Sequence, residues 1–349
     1  MSDEDLVYVS RPLKRGIAIL GSEPEASAPG SHSPSLTLRA LIRKDPSDSI
    51  RRARNVNQKK LLPLTSHDSP LTSIGSYNRI MHPLHKKVAL ITGGSSGIGR
   101  ATALRLVSHG CRVVVAARNQ TALEEVVHEA ENKGGQALAA PTDVTKPEDC
   151  RRAVETTVKE FGRLDVLLCS AGLSMRTYFE NSDLNAMENV VRVNFLGTLF
   201  ATYFAVPHVK KSRGSLVVMS SLAGLRGIPS YSLYGATKFA VQGLYESLRL
   251  ELGRDGVHVG VVSPGFVDTP LRDRVLGPDG KAWPDPPRPP FRVWPVEKCV
   301  DRIVRLIVKR RSRALLPAYA GPFLTLDHMF GRWIGDWILA AKFPPGEKQ

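Results

Sequence analysis

The sequence predicts one α/β domain, a doubly wound parallel sheet of about seven strands with helices on both faces. Three observations carry this expectation. Short apolar runs recur between residues 86 and 317, separated by segments of roughly 10–25 residues with helical character. A glycine-rich turn, Thr92-Gly93-Gly94-Ser95-Ser96-Gly97-Ile98-Gly99, follows the first run. The 349 residues are 42% hydrophobic and 23% charged, the composition of a globular chain with enough length for a full core.

Taken in order, Val88-Ala89-Leu90-Ile91 reads as a strand buried on both faces, which is why it is apolar throughout. After the glycine turn a helix is expected to about His109, stopped by Gly110. Val113-Val114-Val115 is the second strand, and a helix from about Gln120 to Lys133 ends at Gly134-Gly135. Ala137 to Ala140 is the third strand. Thr145-Lys146-Pro147-Glu148 fits a capping box that opens the next helix. Leu164 to Cys169, Leu216 to Met219, Val257 to Val262 and Ala314 to Leu316 complete the sheet.

Flanking regions read differently. Residues 1–85 are rich in Ser, Pro and Arg, and are expected to form a mostly disordered basic extension, with a short amphipathic helix at Leu36 to Ile42. Residues 271–295 interrupt the strand–helix rhythm with a run of prolines and the aromatics Trp283, Phe291 and Trp294. Residues 318–349 carry Phe323, Met329, Phe330, Trp333 and Trp337 at a spacing that suits an amphipathic helical tail on the substrate side.

The net charge is +15, but the excess is spread along the chain and no segment reads as a nucleic-acid-binding motif. Cys111, Cys150, Cys169 and Cys299 lie far apart with no C-x-x-C pair, so neither a metal site nor a disulfide framework is indicated. No transmembrane run is expected, and the acidic start Ser2-Asp3-Glu4-Asp5 argues against a leader. A reducing, cytoplasmic setting follows, with peripheral membrane contact through the aromatic tail as the alternative.

The glycine turn sits where a phosphate-binding turn must, after a strand and opening a helix. Backbone without side chains lets a pyrophosphate approach, and the helix N-terminus supplies amides and positive dipole. Thr92, Gly93, Ser95, Ser96, Gly97, Ile98 and Gly99 are therefore candidates for binding a dinucleotide in a Rossmann-type site. An NAD site usually carries an acid at the end of the second strand. Here the stretch reads Ala116-Ala117-Arg118-Asn119, so Arg118 and Asn119 favour the 2′-phosphate of NADP(H), with NAD(H) second.

Further on, Ser221, Tyr234 and Lys238 form a second constellation. A Tyr and a Lys four residues apart share one helix face. An ammonium near a phenol favours the phenolate and lowers a pKa that is about 10 in isolation. Such a phenol is suited to exchanging a proton with an alcohol or carbonyl oxygen.

In these residues the chain resembles the short-chain dehydrogenase/reductase family, over about Lys86 to Pro317. Six motifs occur in order: Thr92-Gly93-x-x-x-Gly97-Ile98-Gly99, Asp143-Val144, Ser170-Ala171-Gly172, Val193-Asn194, Ser221 with Tyr234-x-x-x-Lys238, and Pro264-Gly265. The resemblance implies that Tyr234 is the acid/base and that Lys238 tunes it and binds the nicotinamide ribose. Ser221 would bond the substrate oxygen, and Asn194 would hold a water for proton relay. Asp143 and Val144 would line the adenine pocket, Gly172 would adjoin the cofactor, and Pro264, Gly265, Val267 and Thr269 would close over the nicotinamide. It also implies a homodimer or homotetramer. One position departs from the pattern: the first Asn of the usual Asn-Asn-Ala-Gly is Cys169 here, a residue that packs without that amide's hydrogen bonds.

The expected activity is NADP(H)-dependent reduction of a hydrophobic ketone or aldehyde, or oxidation of the alcohol. Trp283, Phe291, Trp294, Phe330 and Trp333 would give the substrate an apolar rim, unless they only pack the tail onto the domain. The rival reading is a non-catalytic NADP(H)-binding sensor or scaffold. A binding-only protein has no need of the Tyr234 acid, which weighs against it.

Overall fold

The computed structural model describes residues 82–343. Seven strands form one sheet: β1 (Val88–Thr92), β2 (Arg112–Ala117), β3 (Gln136–Pro141), β4 (Val166–Cys169), β5 (Ser215–Met219), β6 (His258–Pro264) and β7 (Arg313–Leu316). Their order is β3-β2-β1-β4-β5-β6-β7, every neighbouring pair is parallel, and β1 pairs on both sides in regular register. Each strand falls where its apolar run predicts, with ends shifted by one or two residues. The order reverses between β1 and β4, and this is the crevice where α/β sheets bind ligands at the carboxyl ends of their strands.

Two helical layers cover the sheet. On one face α1 (Gly97–Ser108), α2 (Gln120–Asn132) and α7 (Val296–Val308) bury Leu104, Leu106, Leu123, Val126, Cys299 and Ile303 against the strands. On the other, α3 (Pro147–Phe161), α5 (Gly197–Ser212) and α6 (Ser232–Glu251) bury Val154, Ala201, Ala205, Val209, Val241 and Tyr245. A short α4 (Leu184–Val191) runs into α5 through a π-helical segment, Arg192–Leu196. After β7 come α8 (Ala320–Met329) and α9 (Trp333–Lys342), so the tail is two helices joined by a turn rather than one. The break follows from Gly331 and Arg332, both in the left-handed region, at φ 67° and 69°.

Two further expectations change. The capping box before α3 does not form: Lys146 is the N-cap without a side-chain bond, and Thr145 instead donates its backbone N–H and hydroxyl to Asp143. Pro147 takes the first helical position, where its missing N–H is no loss. The stretch Leu184–Ser212 is long and apolar enough to cross a membrane by length and composition, although no such run was expected. In this fold its apolar side includes Ala201, Ala205 and Val209, packed in the core beside the sheet. The expected extension at 1–85, with its helix at 36–42, lies outside the described residues except for its last few, of which Leu84 joins the core.

Candidate active site

The glycine turn is shaped by contact. Gly93 has φ 69°, and a Cβ there would sit 2.6 Å from the Ala171 nitrogen. A Cβ on Gly99 would sit 2.2 Å from the Gly93 carbonyl oxygen. The turn therefore lies on the loop after β4, with the Thr92 hydroxyl accepting the Ala171 N–H at 3.4 Å. Ser96 is the N-cap of α1 but gives its first turn no side-chain bond. Those amides are left to meet an anion, which is what a dinucleotide pyrophosphate requires. The residues present fit such a cofactor.

Downstream, Ser221 stands at the end of β5 and caps the 3-10 turn Leu222–Gly224, its Oγ accepting the Ala223 N–H at 3.2 Å. Its neighbour Ser220 is buried and donates to the Lys238 carbonyl at 3.0 Å, a bond that anchors α6 to the sheet. Tyr234 and Lys238 lie one turn apart near the start of α6. The Lys238 ammonium donates to the Met219 carbonyl at 3.0 Å and stands 5.7 Å from the Tyr234 ring centre. Gly172 faces the same ammonium, since a Cβ there would lie 3.6 Å from it.

The electrostatics differ from the simple expectation. Burial pushes the Tyr234 phenol up to about 12, offset in part by the neighbouring Ser221 hydroxyl, so the phenol is neutral rather than primed as a phenolate. Burial also brings Lys238 down to about 8. For both groups desolvation is the largest cause; the Ser221 hydroxyl opposes it at Tyr234, and Cys169 opposes it at Lys238.

Asn194 is fully buried in the π-helical segment, which turns its side chain toward the loop after β4. Its Oδ1 accepts the Leu173 N–H at 2.7 Å, and its Nδ2 donates to the Leu173 carbonyl at 2.9 Å and to Thr237 at 3.1 Å. The amide thus ties that loop to α6, directly behind Lys238.

A cavity of about 520 Å³ opens at the carboxyl edge of the sheet. It brings together Ile98, Gly172, Ser221, Tyr234, Lys238, Pro264, Gly265, Val267 and Thr269. Its outer part is mostly apolar, with Tyr231, Phe266, Phe291, Trp294, Phe323, Ile338 and Leu339 beside Arg226, Arg272 and Arg292. Arg118, Asn119, Asp143 and Val144 stand apart, at and beyond the ends of β2 and β3. Arg118 is exposed there. Asn119 caps α2 through Ala122, Asp143 holds the Thr145 turn, and Val144 packs against Gly197.

Three aromatics do not line the cavity as expected. Trp283 packs on Gly277 and donates to the Arg176 carbonyl at 3.3 Å, while Phe330 and Trp333 face outward. In their place α8 and α9 contribute Phe323, Leu324, Ile338 and Leu339. Arg226 also lines the cavity, and sequence reasoning missed it. Its partners are in the tail, and no local spacing announces them. Cys169 lies at the buried end of β4 with the Tyr245 hydroxyl 3.5 Å from its sulfur, and that hydroxyl bonds Thr202 at 2.8 Å. A small polar network thus occupies the place of the missing amide, and burial raises the thiol.

This arrangement defines an α/β protein built for a nicotinamide dinucleotide and a small-molecule substrate. Comparison with known proteins agrees. The short chain dehydrogenase family profile matches residues 87–277. The chain is 35% identical over 244 residues to 11-beta-hydroxysteroid dehydrogenase 1A of Arabidopsis thaliana, covering 68% of this chain and 70% of that one. It is 32% identical over 265 residues to 11-beta-hydroxysteroid dehydrogenase of Pinus massoniana, covering 74% of each. A short chain dehydrogenase/reductase from Burkholderia phymatum, solved in complex with NAD, superposes with a TM-score of 0.63 at 25% identity, covering 70% of this chain and 94% of that one. An alcohol dehydrogenase from Thermococcus sibiricus, solved with 5-hydroxy-NADP, superposes with a TM-score of 0.58 at 27% identity, covering 66% and 95%. The chain belongs to the short-chain dehydrogenase/reductase family, and is an oxidoreductase acting between hydroxyl and carbonyl groups.

Proposed function

We propose that this chain interconverts a hydrophobic ketone or aldehyde and its alcohol using NADP(H), with Tyr234 as the acid/base. The observation that carries the reading is the meeting of Ser221, Tyr234 and Lys238 in one mostly apolar cavity. Bound there, the nicotinamide supplies or accepts the hydride. The Tyr234 hydroxyl donates its proton to the carbonyl oxygen in reduction and recovers it in oxidation. Ser221 donates a hydrogen bond to the same oxygen and so stabilises the charge that develops on it. Lys238, charged below about 8, lowers the cost of the transient phenolate and holds the ribose hydroxyls. Asn194 keeps the loop after β4 and the start of α6 in register, and its segment carries the water through which Lys238 exchanges protons. Arg118, exposed at the end of β2 with no carboxylate in the preceding strand, pairs with the 2′-phosphate.

The relatives named hydroxysteroid dehydrogenases support a bulky polycyclic or lipid-like substrate. A cavity of about 520 Å³ is of the size that takes such ligands. The test is NADPH oxidation with a panel of hydrophobic ketones and aldehydes, run beside Tyr234→Phe. Turnover that vanishes in the variant supports the reading. NADPH binding without turnover of any ketone, aldehyde or alcohol would overturn it in favour of a sensor.

A second reading concerns the surface. Met329, Phe330, Trp333 and Trp337 are all more than half exposed on α8, α9 and the turn between them, with Arg332 and Lys342 nearby. Such a face suits peripheral contact with a lipid surface. Flotation with anionic liposomes that is equal for the chain and for a Trp333→Ser/Trp337→Ser variant would end this reading. Exposed Tyr203 on α5 and Phe239 on α6 similarly support a homodimer or homotetramer, which light scattering would size.

A further inference from the structure

The outer wall of the cavity is attached to its catalytic end through one arginine. α8 and α9 supply Phe323, Leu324, Ile338 and Leu339 to the cavity, yet the turn joining them includes Arg332 at φ 69°. That conformation is uncommon for a residue with a side chain, and contacts on both sides of Arg332 hold it here. Those contacts come from Arg226 and Asp327.

Arg226 belongs to the loop that follows Ser221, and its backbone N–H bonds the Leu222 carbonyl at 3.1 Å. Its side chain is buried. The Nη2 donates to the Arg332 carbonyl at 2.8 Å and to Asp336 Oδ1 at 2.6 Å, and the Nε stands 3.4 Å from Asp327 Oδ2. Asp327, on α8, is only 2% exposed. Its Oδ1 accepts the Gly335 N–H at 2.7 Å, which caps the first turn of α9, and its backbone carbonyl accepts the Arg332 N–H at 2.6 Å. Gly335 completes the fit: a Cβ there would lie 2.7 Å from Asp327 Oδ1 and 2.9 Å from Arg226 Nη2. One nitrogen of a buried guanidinium therefore bonds Asp336 and the N-cap carbonyl of α9, while Asp327 faces it as a buried counter-charge.

We propose that Arg226 is a positioning and specificity-determining residue, whose guanidinium latches the α8–α9 wall to the Ser221 loop and so fixes the apolar length open to a substrate. The consequence for substrates rests on the carbonyl-reductase reading above; the latch itself does not. With the latch intact the wall is held against the cavity and a long hydrophobic ligand is gripped along its length. Without it, a small carbonyl still reaches Ser221 and Tyr234, but a bulky one loses its far contacts.

The test compares the full chain with Arg226→Met, Arg226→Lys and the double variant Arg226→Met/Asp327→Asn, which leaves no unpaired buried charge. Hydrogen exchange is read over residues 320–342, and NADPH-dependent reduction is measured with progesterone and with hexanal. In Arg226→Met the exchange of 320–342 is expected to rise about tenfold while β1 to β6 are unchanged. The KM for progesterone is expected to rise about tenfold with kcat little altered, and hexanal turnover should stay within about threefold. Arg226→Lys should fall between, and the double variant should reproduce the effects if Arg226→Met does not fold. Unchanged exchange in 320–342, faster exchange throughout the chain, or equal losses for both substrates would each overturn the latch. If the unaltered chain reduces neither compound, that failure counts against the carbonyl-reductase reading and not against the latch, which the exchange data alone decide.

Discussion

On the cofactor side of the cavity, backbone meets backbone: Gly93 lies on the loop after β4 at Ala171, and Gly99 lies on the Gly93 carbonyl. On the substrate side, large apolar side chains meet: Phe291 and Trp294 from the proline-rich loop, Phe323 from α8, Ile338 and Leu339 from α9. The first kind of contact admits one residue type at each position. The second admits any apolar residue of suitable volume, and its geometry is set by latches such as Arg226 rather than by the lining itself. The contrast teaches where tolerance to change should lie.

The largest effect expected is chemical and falls at the seam of the two sides. Tyr234→Phe should reduce kcat by about 10³-fold with NADPH binding retained, measured by initial rates and by cofactor fluorescence. Next, Gly99→Ala should destabilise by about 3 kcal/mol or leave the chain insoluble, because its Cβ would strike main chain that has nowhere to move. Thermal unfolding of that variant with an unchanged midpoint would break the comparison. On the opposite side, Leu339→Ala should cost only about 1 kcal/mol in the same measurement, since Leu339 is half-buried on a cavity wall, while raising the KM for a bulky ketone.

Arg118→Glu should weaken NADPH by about tenfold or more and leave NADH within a few-fold, as read by dissociation constants. Tighter binding of NADH by the unaltered chain would refute the 2′-phosphate role. The pH dependence is the smallest effect. Lys238 is lowered from 10.5 to about 8, so its ammonium is present below pH 8 and lost above it. The reduction rate should therefore fall as pH rises through 8. Stability moves the other way for this group: between about pH 8 and 10.5 the unfolded chain binds more protons, so Lys238 contributes increasing stability as pH rises across that window.

What could be read from the sequence follows the same division. The seven strands were legible because a parallel strand covered on both faces must be apolar throughout, as Val88–Thr92 is. The glycine turn and the Ser221, Tyr234, Lys238 spacing were legible because each is a local pattern tied to a local geometry. The capping box failed because Asp143 competes for Thr145, and a short motif does not reveal the neighbouring acceptor. The phenol's direction of shift was misjudged because charge attraction can be read from spacing, whereas desolvation depends on the finished fold. Residue type alone places Trp283, Phe330 and Trp333 at the cavity rim, yet Phe330 sits in the turn after α8 and Trp333 at the start of α9, both exposed, and Gly277 receives Trp283. The Arg226–Asp327 contact joins distant segments, which single-sequence periodicity does not encode.

The four cysteines have a practical consequence. Cys111 and Cys299 lie under one helical layer and Cys150 and Cys169 under the other, all at most 2% exposed and all with thiols that burial has pushed up. A thiol-specific dye will stay colourless with the native chain and report each side of the sheet only as that side opens. The molecule thus carries its own label-free-of-engineering gauge of unfolding. An order of labelling in which Cys299 reacts before Cys150 would show that the α1–α7 layer parts from the sheet first.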